Sequence, residues 1–241
     1  FILLICLGCA SKKEIVVPKF ESKIVSNEKL SCRAIFVDTD KVWLGMDKGR
    51  YGFYDKKKDT LVVKTIQSVS NATEFRSIAA TKDAIFILAV GNPAKLIKID
   101  KKSLQETIVY QEENEKVFYD SMQFVDNLNG FAMGDPTEDC LSFIKTADGG
   151  NSWEKVSCAN FPKVSEGEAA FATSNTNLIV KGKSIFMVSG GKKSRVFVSH
   201  DFGTSWLVYE TPIVQGEEMT GIFTADFYNE KTGIIAGGNY L

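Results

Sequence analysis

The sequence predicts an all-β fold, a β-propeller of four-stranded blades, on three observations. First, an eight-residue turn recurs. Thr146-Ala147-Asp148-Gly149-Gly150-Asn151-Ser152-Trp153 returns as Ser199-His200-Asp201-Phe202-Gly203-Thr204-Ser205-Trp206, with the acids 53 residues apart. Both copies fit S/T-x-D-x-G-x-S/T-W. Second, the acid persists upstream at a similar step: Asp100 lies 48 residues before Asp148, and Asp55 lies 45 before that. Third, short apolar runs separated by polar turns come about four to a period, in a chain with 17 Phe and 19 Gly and few helical periods. Four short strands per period of 43 to 53 residues is a blade signature. One blade cannot bury both its faces, so blades must stack around a channel.

Taken in order, residues 1–8 read as the remnant of a signal peptide. The run Phe1-Ile2-Leu3-Leu4-Ile5-Cys6-Leu7 is too short to cross a bilayer. Gly8-Cys9 followed by Ala10-Ser11-Lys12-Lys13 resembles a bacterial lipoprotein cleavage box, although Cys6 stands where Leu is usual. Residues 9–30 are then a lipid-attachment cysteine, Cys9, and its tether. That makes the protein an exported lipoprotein, periplasmic or anchored to the outer membrane, touching a membrane only through the lipid. Residues 31–241 form the propeller, about four and a half blades. The first unit opens at Cys32-Arg33-Ala34-Ile35-Phe36, followed by Val42-Trp43-Leu44-Gly45 and the Asp55 turn. The second opens at Phe75-Arg76-Ser77-Ile78-Ala79, followed by Ile85-Phe86-Ile87-Leu88 and the Asp100 turn. The third opens at Asp120-Ser121-Met122-Gln123-Phe124, followed by Gly130-Phe131-Ala132-Met133 and the Asp148 turn. The fourth opens at Glu168-Ala169-Ala170-Phe171 and reaches the Asp201 turn. The fifth holds Thr220-Gly221-Ile222-Phe223 and Gly233-Ile234-Ile235-Ala236-Gly237. Because a propeller must close, the expectation is a chain truncated at its C-terminus.

Composition excludes several functions. With 29 basic and 30 acidic residues the net charge is −1, and no basic stripe interleaves with aromatics, so no nucleic-acid partner is expected. There is one histidine, His200, read as a solvated turn residue, and no C-x-x-C pair among the five cysteines, so neither a zinc site nor any other metal or cofactor is expected. Cys140 and Cys158 are equidistant from Gly149. Across a hairpin they would face each other, either as a disulfide of an exported protein or as two small buried hydrophobes. Gly190-Gly191-Lys192-Lys193-Ser194 imitates a phosphate loop, but Phe186 stands where its first glycine belongs and no helix follows.

The two turns resemble the Asp-boxes of sialidases, sortilin-type receptors and Ycf48-like photosystem II assembly factors. A longer pattern is carried by Glu168-Ala169-Ala170-Phe171-Ala172-Thr173-Ser174, Ser194-Arg195-Val196-Phe197, Gly91-Asn92-Pro93-Ala94-Lys95 and Gly237-Gly238-Asn239-Tyr240. Over about residues 30–241 it is similar to the Ycf48-like, BNR-repeat proteins of the Bacteroidetes. The resemblance implies a seven-bladed (or six-bladed) propeller, exported and often lipid-anchored, acting as a scaffold for complex assembly with a protein partner.

Within the turns, Asp148, Gly150, Ser152 and Trp153, and likewise Asp201, Gly203, Ser205 and Trp206, each have a structural task. The carboxylate accepts local N–H groups, glycine supplies positive φ, the hydroxyl adds a bond and the indole buries area. One acid per turn is too few for a calcium cage. The candidate binding residues are instead Arg33, Arg76, Asp120 and Glu168 at the starts of successive units, joined by Arg195. They either pair among themselves or form a polar binding mouth at the channel. The alternative function is a sialidase-type glycoside hydrolase or a carbohydrate-binding propeller. A sialidase needs three arginines, a tyrosine nucleophile with a glutamate partner, and an acid. The chain has only Arg33, Arg50, Arg76 and Arg195, and no Arg-Ile-Pro stretch.

Overall fold

The computed structural model describes residues 19–171 and 175–241. The signal-remnant and Cys9 readings lie outside the described residues, as do Ala172, Thr173 and Ser174. Residues 19–31 carry no regular structure, and Lys23 reaches Asp59 of the first sheet. Among the described residues no helix is long and apolar enough to cross a membrane.

The strands pair antiparallel with their sequence neighbours. The first blade is β1 (Cys32–Val37), β2 (Lys41–Met46), β3 (Arg50–Asp55) and β4 (Thr60–Thr65). The second is β5 (Phe75–Ala80), β6 (Ala84–Ala89), β7 (Ala94–Asp100) and β8 (Glu106–Glu112). The third is β9 (Tyr119–Phe124), β10 (Gly130–Gly134), β11 (Ser142–Thr146) and β12 (Glu154–Lys155). Next come β13 (Glu168–Ala169), β14 (Leu178–Lys181), β15 (Ser184–Val188), β16 (Gly190–Gly191), β17 (Arg195–Ser199) and β18 (Leu207–Glu210). The last strands are β19 (Thr220–Phe227) and β20 (Gly233–Asn239). The fourth blade is β14-β15-β17-β18, and the fifth sheet runs β13-β16-β19-β20.

Two details depart from the sequence reading. Glu168 heads a two-residue strand, and the inner strand of the fourth blade resumes only at Leu178. In between, Asn175 adopts φ +56° and crosses to the second and third blades. Its Oδ1 accepts from Ser77 Oγ (3.2 Å) and Met122 N (2.9 Å), and its Nδ2 donates to the Ile78 carbonyl (3.1 Å). The excursion therefore satisfies inner-strand groups of two other blades. The fifth unit, in turn, is not a free-standing half blade. The Gly190–Gly221 pair joins β19 to β16, where a Cβ on Gly221 would lie 2.3 Å from the Gly190 Cα.

The inner strands β1, β5, β9, β14 and β19 lie side by side in that order. Among the described residues no contact of similar extent joins β19 back to β1. The hydrophobic cores sit between blades. Trp43 and Phe53 of the first pack on Ile78, Ile85 and Ile87 of the second. Phe86 and Leu88 meet Met122 and Trp153 of the third. Phe131 and Phe143 meet Ile185 and Phe197 of the fourth. Strand β6 is buried on both faces because blades cover both sides, so it reads as an unbroken apolar run. Ile35 occupies the place that Ile78 and Met122 hold in the next two blades. They are covered by the preceding blade, at 2% and 1% exposure, whereas Ile35 is 61% exposed.

Candidate functional site

The predicted positions Arg33, Arg76 and Asp120 prove to be one structural position. In each of the first three blades the inner strand carries a bulge near its start, and the extra residue is the one named. Cys32 pairs with Met46 and Ala34 with Gly45, which leaves Arg33 over. Phe75 pairs with Ala89 and Ser77 with Leu88, which leaves Arg76. Tyr119 pairs with Gly134 and Ser121 with Met133, which leaves Asp120. In β19 the equivalent residue is Phe223, which the charge pattern could not single out. Bulges re-aim side chains at strand ends, so this end of the blades can present chemistry.

Glu168, on β13 of the fifth sheet, and Arg195, on β17 of the fourth blade, form a lock between the two. Arg195 Nε donates to Glu168 Oε1 (2.9 Å) and Nη2 to Oε2 (2.5 Å). Ser189 Oγ (2.6 Å) and Ser165 N (2.9 Å) also donate to this carboxylate, whose side chain is fully buried. The same Nη2 also donates to the Lys163 carbonyl (2.9 Å). A buried carboxylate with four donors is a structural joint rather than a free acid. Arg76 is held by Glu74 Oε2 through Nε (3.0 Å) and Nη2 (2.9 Å) and lies over the Phe118 ring. Arg33 alone of the named arginines is exposed and makes no ion pair with a described residue.

Asp120 is the outlier. It is 1% exposed, and both carboxylate oxygens lack a hydrogen-bond partner. Burial, and then the charge of nearby Asp135, push its carboxyl well above the usual range, while Arg76 pulls the other way. Burial raises Asp135 to about 6, against a bond from Ala170 N (2.9 Å). Asp135 went unnoticed in the sequence; its signal was an acid directly after a strand and before a proline. It lines a cleft of ≈580 Å³ between the third blade and residues 164–169, together with Lys116, Glu138, Asp139, Glu166 and Glu168. Asp139 is tied to Lys163 (2.5 Å).

The repeated turns lie at the opposite end. Each joins the third strand of its blade to the outermost one, whereas the bulges sit where the inner strands begin. The two turns match in the bonds to their carboxylates. Asp148 Oδ1 accepts from Thr146 Oγ1 (2.8 Å), Asn151 N (2.9 Å) and Ser152 N (3.1 Å), and Oδ2 accepts from Ser152 Oγ (2.7 Å). Asp201 repeats this with Ser199 Oγ (2.8 Å), Thr204 N (3.1 Å), Ser205 N (2.9 Å) and Ser205 Oγ (2.6 Å). The upstream acids keep part of it: Asp100 accepts from Lys102 N and Ser103 N, and Asp55 from Lys57 N and Lys58 N. Gly150 (φ +75°) lies against the second blade, where a Cβ would come 2.3 Å from Phe86. Trp153 meets Phe124 edge-on at 5.6 Å, and Trp206 meets Phe143 edge-on at 5.4 Å. His200 is not merely solvated: its Nδ1 shares a hydrogen bond with buried Ser184 (2.7 Å).

These bonds set an acid limit to the fold. At Asp148 desolvation raises the pKa, but the bonds from Ser152, Thr146 and Asn151 outweigh it and leave it at about 2. At Asp201 the Ser205 and Ser199 bonds bring it to about 2. A carboxyl depressed below its unfolded value of about 4 stabilises the fold above pH 4, and that contribution is lost as pH falls towards 2. An acid melt monitored by Trp fluorescence is expected to show this loss, and Asp148→Asn with Asp201→Asn to reduce it.

Cys140 and Cys158 are joined in a disulfide, Cα atoms 5.5 Å apart, and both are buried in the core between the third and fourth blades. Glu138 and Asp139 approach Cys158, but its sulfur is committed to that bond. Sialidase chemistry finds no matching arrangement among the described residues. Arg50 is paired with Asp47, Arg76 with Glu74 and Arg195 with Glu168. Tyr110 and Tyr119 both donate to Glu112 (2.8 Å each), but Lys155 holds the same carboxylate and Tyr119 is fully buried.

No protein-family model matches the sequence, and no curated protein sequence matches it. Solved structures do match. A structure of U3-55K aligns with TM-score 0.63 at 12% identity, covering 88% of this chain and 60% of that one. The RRP9 WD40 repeats align with TM-score 0.62 at 11% identity, covering 88% and 59%. This chain thus spans about three fifths of the length of either. A structure of YCF48 bound to D1 peptide aligns with TM-score 0.43 at 11% identity, covering 87% and 90%. At these identities the likeness speaks to the fold alone, and together with the stacked four-stranded sheets it makes the chain a β-propeller.

Proposed function

We propose that this chain is a non-catalytic scaffold that binds a protein partner at the end where its inner strands begin. The observation that carries the reading is the state of the charged groups at that end. Arg76 and Arg195 are spent on Glu74 and Glu168, whereas Arg33 is exposed and unpaired beside the apolar Ile35. An exposed arginine next to apolar surface suits a protein contact. We read the two turns as Asp-boxes that staple blades together, in keeping with the Ycf48-like, BNR-repeat resemblance. On the same reading the protein is exported and lipidated at Cys9, and the partner lies at the bacterial cell envelope.

The test is chemical cross-linking of the exported protein in cells, followed by affinity capture. Arg33→Ala is expected to lose at least most of the captured partner without a change in melting temperature. Turnover of a sialoside or aryl-glycoside panel, abolished by Arg33→Ala or Arg76→Ala, would instead favour the hydrolase reading and overturn this one. Binding of a glycan array in place of a protein would point to a lectin.

A further inference from the structure

We propose that Asp120 and Asp135 form a binding site for a hard divalent cation of the calcium class, beside the cleft that Asp135 lines. This inference is independent of the scaffold reading.

The two acids flank one rung of the third blade. Tyr119 pairs with Gly134, so Asp120 follows on one strand and Asp135 on the other. The strands approach closely there: a Cβ on Gly134 would lie 2.1 Å from the Phe118 carbonyl, which also accepts from Asp135 N (2.8 Å). Only glycine fits, and its absent side chain brings the two acids together. Asp120 is buried, with neither oxygen bonded to a described residue. Asp135 opens into the cleft and accepts only Ala170 N.

The surroundings do not supply the missing partner. Arg76, the nearest cation felt by Asp120, is held by Glu74 through two donors. Arg195 is spent on Glu168 and Lys163 on Asp139. Of the residues lining the cleft only Lys116 is basic, against Asp135, Glu138, Asp139, Glu166 and Glu168. A buried carboxyl without a donor, next to a second carboxyl with only one, is costly unless something positive joins them. A calcium ion takes oxygen ligands in flexible geometry, whereas magnesium demands a stricter octahedron. The site was silent in the sequence because the pairing of β9 with β10, not any short spacing, brings the two acids together.

The test uses the whole chain, stripped with a chelator and dialysed at constant ionic strength. Calorimetric titration with calcium chloride is expected to give a single-site isotherm, with a saturable rise in melting temperature and a weaker response to magnesium. Asp120→Asn and Asp135→Asn should each weaken the affinity at least tenfold, whereas Glu166→Gln at the cleft rim should retain most of it. Terbium added to the unmodified chain should give emission sensitised by neighbouring Tyr119 and displaced by calcium, a readout that depends on no variant. Absence of heat and of terbium emission overturns the proposal. So does a calcium response unchanged in Asp120→Asn, or one that magnesium reproduces in full, which would mark general charge screening.

Discussion

Arg195→Ala is expected to destabilise the fold by about 3–5 kcal/mol, the cost of leaving a buried charge without its partner. Glu168 has a fully buried side chain, and Arg195 supplies two of its four donors. Removing the guanidinium strands the carboxylate where water cannot replace it. The joint ties β13 to the start of β17, so its loss loosens the seam between the fifth sheet and the fourth blade. Urea unfolding at constant m-value measures the effect. Arg76→Ala is the internal control. Its pair with Glu74 is 25% and 36% exposed, and its loss should cost no more than about 1 kcal/mol. Equal costs for the two variants would mean that Glu168 is hydrated in solution.

Asp120→Asn is expected to act in the opposite direction, measured with a chelator present. The charge of Asp135 raises Asp120 further and that of Arg76, which Glu74 holds, opposes it. Both carboxyls have folded pKa values raised above an unfolded value of about 4, Asp135 to about 6 and Asp120 well above its ordinary value. A raised acid stabilises the fold fully below pH 4 and loses that contribution as pH rises through its folded pKa. The wild type should therefore lose stability from pH 4 through 6 and beyond. Asn is nearly isosteric and carries no charge, so it removes this loss. At pH 8 the variant is expected to be more stable by on the order of 1–3 kcal/mol, the penalty of an unsatisfied buried group, and at pH 4 about equal to the wild type. A variant less stable at pH 8 would show that Asp120 holds a stabilising partner in solution.

What was legible in the sequence follows the range of the interactions. The turns at Asp148 and Asp201 were legible because their bonds close within four residues, so spacing alone specifies them. The equivalence of Arg33, Arg76 and Asp120 was legible because the blade period places them, although not that each is the extra residue of a bulge. Their partners were not legible. Glu74 is two residues from Arg76, but Asp135 meets Asp120 only through the pairing of β9 with β10. Glu168 resembled the other strand heads, yet the inner strand of its blade resumes at Leu178. The cause is Asn175, whose amide serves Ser77, Ile78 and Met122, 53 to 98 residues upstream. Phe223 escaped because an aromatic at a position otherwise held by charge leaves no pattern to follow.

The division of labour among the arginines is open to one parallel measurement: melting temperature and cross-linked partner capture, per folded molecule, for Arg33→Ala, Arg76→Ala and Arg195→Ala. If the strand-head charges are locks in the second and fourth blades and a contact in the first, Arg195→Ala melts on the order of 10 °C lower with capture retained. Arg33→Ala then melts unchanged with capture lost. The reverse, an Arg33→Ala variant that melts low and still captures its partner while Arg195→Ala melts normally and does not, would contradict it.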